Sequence, residues 1–222
     1  MEQKINSVIE GDCLEVMKYI HDESIDMILT DPPYGMEFQS NYRKEKYSKI
    51  TGDNNLDWIE DFVEESYRVS KQNTAHYIFC SFHNIDVFKQ AFQKRFKIKN
   101  ILVWEKNNTS MGDLTADFAP KIEFVLFIQK GRRLINGKRD PNIFKFSRTG
   151  NKLHPTEKPV DMFEYLLSKF SNENDLILDP FAGGGTTAIA CINTNRNYIL
   201  IEKEPEYIEI INKRLNNATT RI

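Results

Sequence analysis

An α/β fold with a mostly parallel sheet is predicted by three observations. Short β-rich apolar runs alternate with stretches of helical periodicity, most of those runs are apolar on both faces, and two of them lead directly into stiff or glycine-rich turns. The elements follow in order. Asp12 suits the N-cap of a helix carrying Leu14 and Met17, and Ile25–Thr30 (IDMILT) reads as a buried strand. Asp57 suits the cap of a helix with Phe62, Val63 and Tyr67 inside, before the strand Ala75–Cys80. Asn84 opens a helix facing inward through Val87, Phe88, Ala91 and Phe92, and the strands Ile98–Trp104 and Glu123–Gln129 come next. Pro159, whose fixed φ suits a first turn, starts a helix with Met162, Phe163, Leu166, Leu167 and Phe170 on one side. The strand Asp175–Asp179, a helix opened by glycines, the strand Tyr198–Glu202 and a last helix using Tyr207, Ile208, Ile211 and Leu215 complete the chain.

The chain has 222 residues, which fits one substantial domain better than two, so 1–222 is expected to be a single unit. Hydrophobic residues make up 40% and charged residues 28%, the balance of a water-soluble globular protein. No apolar run approaches the ~20 residues that a membrane-spanning helix needs, and the first residues have no basic start, apolar stretch and small-residue cleavage site. A cytoplasmic location without membrane attachment is the expectation. Cys13, Cys80 and Cys191 are far apart and in no C-x-x-C pair, which points to buried thiols rather than disulfides or a zinc site. No metal is expected.

Net charge is −2, so no basic coat covers the protein. Two local basic stretches stand out: Arg43, Lys44, Lys46 and Lys49, and the run Lys130, Arg132, Arg133, Lys138, Arg139, Lys145, Arg148 and Lys152. Solvated loops would explain them equally well in isolation. Both fall in segments without regular periodicity, Gly35–Leu56 and Gly131–Thr156, and loops of more than ~15 residues within a compact domain tend to be functional or disordered.

Two motifs carry chemistry. Asp31-Pro32-Pro33-Tyr34 follows the strand IDMILT, where residues of an open α/β sheet face the ligand crevice. Adjacent prolines stiffen the turn and remove two donors, so carboxylate and carbonyl oxygens are left as acceptors beside a flat tyrosine face. That set fits a planar ring bearing an amino group; a rigid turn with a packed tyrosine would use the same residues. The second motif, Asp179-Pro180-Phe181-Ala182-Gly183-Gly184-Gly185-Thr186-Thr187-Ala188, also follows a strand and opens a helix. Gly183-x-Gly185-x-x-Ala188 has the form of a dinucleotide fingerprint, and Glu202 ends the next strand where a ribose-binding carboxylate belongs. A nucleoside-type cofactor is implied, and no Lys follows the glycines as a phosphate loop requires.

Together these motifs resemble the catalytic and cofactor motifs of the amino-DNA methyltransferases, and their order, catalytic first, resembles the beta class. Gly11-Asp12-Cys13-Leu14, Phe79-Cys80-Ser81, Trp104-Glu-Lys-Asn-Asn108 and His154-Pro-Thr-Glu-Lys-Pro159 are similar to further family segments, so the resemblance covers essentially the whole chain. It implies a Rossmann-like sheet in circularly permuted order, with S-adenosylmethionine across the carboxyl ends of the strands. Asp31, Pro32, Pro33 and Tyr34 would then hold a flipped base, with Asp31 and Asp179 also close to the cofactor. Phe181, Gly183, Gly185, Thr186 and Thr187 would cradle the cofactor and Glu202 its ribose; Asp12 and Cys13 would meet its adenine, and Thr156 and Lys158 its methionine carboxylate. Asp12 is explained equally by a helix cap and the Pro155/Pro159 segment by a stiff turn.

The activity so implied is methyl transfer to an exocyclic amino group of DNA by base flipping and direct transfer, with Arg43, Lys44, Lys46, Arg132, Arg133, Lys138, Arg139 and Arg148 gripping phosphates. Asp at the first motif position is the family's adenine-N6 pattern; cytosine N4 is the nearest alternative, since its chemistry is identical. An NAD-dependent oxidoreductase would use the glycines and Glu202 but give Asp31–Tyr34 no role, while RNA or a glutamine side chain would offer similar amino groups to an Asn-Pro-Pro-Tyr motif. Residues 105–156 are expected to contain a small target-recognition region. DNA, a second copy of the chain and a cognate restriction endonuclease are the expected partners.

Overall fold

The structure is a computed structural model and describes residues 4–33, 57–109, 114–149 and 157–219. The described residues form β1 (Ser7–Glu10), α1 (Cys13–Met17), β2 (Met27–Thr30), α2 (Ile59–Val69), β3 (Thr74–Cys80), α3 (Ile85–Phe92) and β4 (Lys97–Lys106). They continue with β5 (Ile122–Lys130), β6 (Ile143–Phe146), α4 (Val160–Phe170), β7 (Leu176–Asp179), α5 (Thr186–Asn193), β8 (Asn197–Glu202) and α6 (Pro205–Thr219). The sheet has the order β1-β8-β7-β2-β3-β5-β4-β6. β5 alone runs against the others: it is antiparallel to both β3 and β4, whereas every other pairing is parallel. The expected α/β class and mostly parallel sheet are therefore present.

Side-chain alternation along the strands sorts the core into two layers. Met27 and Leu29 of β2, with Tyr198 and Leu200 of β8, face α4, α5 and α6 through Met162, Phe163, Ala188 and Ile211. Ile28 and Ile78, with Ile199 and Ile201, face α1, α2 and α3 through Met17, Phe62, Phe88 and Phe92. A sheet covered on both faces explains why its central strands read as continuous apolar runs. Among the described residues, no helix is long and apolar enough to cross a membrane.

Helix starts depart from the sequence expectations by small shifts. Asp12 does cap α1, its carboxylate accepting from the Leu14 N–H at 3.1 Å. Trp58 rather than Asp57 occupies the cap position of α2, and Pro159 is the residue before α4 rather than within its first turn. Two strands escaped prediction, β1 and β6. Each has four residues and lies at an edge of the sheet, with half-exposed and exposed positions that carry no buried-strand pattern.

The chain leaves β2 toward β3 on one side and leaves β7 toward β8 on the other, so β7 and β2 adjoin at the point where the winding reverses. Crevices in open α/β sheets form outside the carboxyl ends of strands at such a reversal. Asp31 and Asp179 emerge there side by side. Within the stretch 105–156, β5 and β6 belong to the sheet.

Candidate functional site

The carboxyl edge is locked by one buried acid. Asp179 ends β7 at 4% exposure, accepting from Thr30 Oγ1 of β2 at 2.7 Å, from Phe181 N at 3.2 Å and from Thr187 Oγ1 of α5. Burial pushes its carboxyl up to about 6, against which the hydroxyl and N–H donors work and to which Asp31 adds. Its hydrogen bonds tie two strands and a helix together. Asp179 and Thr187, expected at the cofactor, thus form the floor under the crevice, and Thr186 spends its hydroxyl on the Lys158 carbonyl at 3.2 Å.

The glycine turn between β7 and α5 needs glycine at two positions for different reasons. Gly183 takes φ 49° and donates its N–H to Glu202 Oε2 at 2.7 Å. Gly185 takes φ 75°, and a Cβ there would lie 2.9 Å from Ile211 Cγ1 of α6. Gly185 therefore has a packing role of its own: the missing side chain lets α6 close on the turn. Arg214 of α6, which no sequence motif pointed to, reinforces that closure by donating to the Gly184 carbonyl and pairing with Glu157 at 3.4 Å.

Glu202 stands at the end of β8, 8% exposed, its Oε1 accepting from the N–H groups of Lys203 and Glu204, each at 2.9 Å. Burial holds its carboxyl above the ordinary range, opposed by these three N–H donors. Gly11, beyond β1, donates to the Glu202 carbonyl at 3.0 Å, which brings Asp12 and the buried Cys13 to the same edge. Lys203 pairs with Asp12 at 3.3 Å, and Phe181 packs on Trp58 and Phe62 with ring centroids 5.3 and 5.4 Å apart. A fixed carboxylate, a polar cap residue and an apolar floor around a left-handed glycine suit a ribose and a flat heterocycle.

Across the reversal point, Asp31 and Pro33 are partly exposed and Pro32 is buried. Lys158, expected beside the cofactor, has its ammonium on Asp31 Oδ2 and 3.2 Å from Glu123 Oε2. Lys106 meets Glu123 Oε1 at 2.6 Å. Neither Glu123 nor Lys106 is among the site residues expected from the sequence; β4 also carries Lys97, Lys99 and Glu105, so one more charge at its end was no signal. Tyr34, Arg43, Lys44, Lys46 and Thr156 lie outside the described residues.

The fold divides the long basic run. Since β5 runs backward, its end at Lys130 lies opposite Thr74, the first residue of β3, at the amino edge. Lys130 is 3% exposed and caps α2 through the carbonyls of Ser70 (2.8 Å) and Tyr67 (2.9 Å). Arg133 reaches the Phe170 carbonyl at the end of α4, and Lys138 accepts there from Lys169, so Arg132, Arg133, Lys138 and Arg139 sit on the edge away from Asp31. These residues, expected to grip phosphates, are thus separated by the sheet from Asp31. Lys145 and Arg148, at and beyond the end of β6, remain on the side of Asp31; Arg148 donates its N–H to Asn107 at 3.0 Å.

A family model described as DNA methylase, of the N6/N4 type, matches residues 25–213. YubD of Escherichia coli (strain K12) is 34% identical over 208 residues, covering 93% of this chain and 88% of that protein. The DNA adenine methyltransferase YhdJ of Escherichia coli (strain K12) is 28% identical, covering 96% and 83%. Among solved structures, the complex of M1.HpyAVI with SAM superposes with a TM-score of 0.74 at 27% identity, covering 95% of this chain and 99% of that one. The cytosine-N4-specific PvuII DNA methyltransferase superposes with a TM-score of 0.74 at 17% identity, covering 99% and 93%, a likeness of fold.

Proposed function

The chain belongs to the N6/N4-type DNA methylase family, and on that premise we propose that it transfers a methyl group from S-adenosylmethionine to the N6 amino group of adenine in DNA. The observation that carries this reading is the position of Asp31-Pro32-Pro33, at the carboxyl end of β2 and beside the β7 turn, where base and cofactor can meet. An Asp at the first position is the adenine-type form of the motif, and YhdJ is a relative with that specificity.

S-adenosylmethionine supplies a methyl group on a positive sulfur. Glu202 would accept from its ribose hydroxyls, with Gly183, Phe181, Asp12 and Cys13 around its adenosine. An aromatic amino nitrogen is a weak nucleophile because its lone pair is delocalised into the ring. The Asp31 carboxylate and Pro32 carbonyl, accepting from its two N–H bonds, would localise that pair, aim it at the methyl carbon and stabilise the positive charge that develops on nitrogen. Asp31 then passes the surplus proton to water. The base is out of reach inside a duplex, so it must be flipped at a cost of a few kcal/mol; Tyr34 is the stacking face assigned to it.

The test is transfer of labelled methyl to unmethylated genomic DNA, followed by digestion and mass-resolved nucleosides. N6-methyladenine is expected. N4-methylcytosine would overturn the base assignment, and NAD binding without binding of S-adenosylmethionine would overturn the transfer itself.

A further inference from the structure

Four charged side chains from four parts of the fold alternate in sign behind the motif after β2. Asp31 follows β2, Lys158 precedes α4, Glu123 opens β5 and Lys106 closes β4. Contacts run Asp31 to Lys158, Lys158 to Glu123 at 3.2 Å and Glu123 to Lys106 at 2.6 Å, with the Lys158 ammonium 5.2 Å from the centre of the Phe79 ring. Lys158 is 6% exposed and Lys106 8%. An ammonium so buried is costly unless it is paired, and here two cations meet two anions. The Lys158 main chain is also pinned by Thr186.

We propose that Lys158 is a positioning residue for methyl transfer, fixing Asp31 Oδ2 and keeping that carboxylate anionic as the acceptor for the target amino group, while Glu123, itself paired with Lys106, competes for the same ammonium. The proposal rests on the reading of Asp31 as the base acceptor and departs from the expectation that Lys158 serves the methionine carboxylate. An ammonium in contact favours the charged form of a carboxylate and restricts its rotation. Burial works against the Lys158 charge, but Asp31 and Glu123 outweigh it and hold the group above its ordinary value. Burial likewise opposes the Glu123 charge, and Lys158 and Lys106 hold its carboxyl below the usual range. Among the described residues, Asp179 from β7 and Cys80 from β3 also face Asp31, the Cys80 thiol pushed up to about 12 chiefly by burial.

The test compares the full chain with Lys158→Met, Lys158→Arg and Glu123→Gln. Carboxyl-carbon NMR titration follows Asp31, assigned by the resonance that Asp31→Asn removes; methyl-transfer rates against pH and calorimetric binding of S-adenosylmethionine accompany it. In Lys158→Met the Asp31 midpoint rises by about one pH unit or more, the acid limb of the rate profile moves with it, and cofactor affinity stays within about twofold of the parent, under 0.5 kcal/mol. Lys158→Arg restores the midpoint. Glu123→Gln removes a competing anion and moves the midpoint down, a direction that a loosened fold would not produce, so this variant decides the matter where Lys158→Met does not fold. An unmoved midpoint, an upward move in both variants, or a tenfold loss of cofactor affinity in Lys158→Met would overturn the proposal. Because the titration needs no DNA, an enzyme inactive on DNA sinks the adenine reading alone, and an active enzyme with an unmoved midpoint sinks this one alone.

Discussion

Glu202 Oε2 accepts a 2.7 Å hydrogen bond from the Gly183 N–H, so the carboxylate that ends β8 closes the glycine turn after β7. Holding that acid in place while leaving it at the crevice is what a ribose contact needs. Glu202→Ala is expected to weaken S-adenosylmethionine binding at least about tenfold, or ~1.4 kcal/mol, measured by calorimetric titration. Affinity equal to the parent would move the contact elsewhere, first to Glu204.

Gly185→Ala should act on packing instead. The new methyl would lie 2.9 Å from Ile211 at a backbone φ of 75°, combining overpacking with strain. A loss of about 1–3 kcal/mol is expected, which for a domain of this size lowers the melting temperature by roughly 2–4 °C per kcal/mol. Cofactor affinity of the folded fraction should stay near that of the parent. Unchanged melting with lost affinity would return Gly185 to the cofactor site.

His76 gives a pH dependence whose sign is fixed by its bonds. It is fully buried, its Nδ1 accepts from the Ile28 N–H at 3.0 Å, and its Nε2 lies 3.0 Å from Thr74 Oγ1. Burial, then the Lys130 charge, push its pKa down to about 3, while the unfolded chain titrates near ~6.5. The unfolded state therefore takes up a proton that the folded state refuses. Stability from this residue is complete above about pH 6.5 and falls as pH drops toward about 3, by up to roughly 1.4 kcal/mol per unit. Asp179, raised to about 6 by burial, works in the opposite sense between about 6 and 4. The difference profile isolates the histidine: urea midpoints from pH 7 to 5 should fall less steeply in His76→Asn, and equal slopes would contradict this account.

The division of the basic run predicts a division in DNA binding. Arg148→Ala, on the side of Asp31, should weaken DNA binding and reduce the slope of log affinity against log salt by about one. Arg132→Ala and Arg139→Ala, on the amino edge, should leave both unchanged. Equal losses at both edges would mean that DNA wraps the sheet.

What was legible in the sequence follows from how local each feature is. The central strands announced themselves because burial on both faces makes them continuous apolar runs, as in Ile25–Thr30 and Tyr198–Glu202. Asp31 and Glu202 were legible because a strand end fixes where the next residue goes. β1 and β6 were not, being four-residue edge strands with exposed positions. How the basic run from Lys130 to Lys152 is laid out was not legible, because nothing local says that β5 is antiparallel; that reversal sends Arg132 to one edge and Arg148 to the other. Lys158, Glu123 and Lys106 are far apart in sequence; pairing of β4 with β5 brings Lys106 to Glu123, and Lys158 meets Glu123 from the segment before α4.

The most direct measurement of the central claim is the rate of methyl transfer to DNA by Asp31→Ala alongside its affinity for S-adenosylmethionine. If Asp31 holds the target amino group, transfer falls by at least about a hundredfold, ~2.7 kcal/mol of transition-state stabilisation, while cofactor affinity and the melting profile stay close to the parent. Transfer at the parental rate, or loss of cofactor binding and fold together, would contradict it.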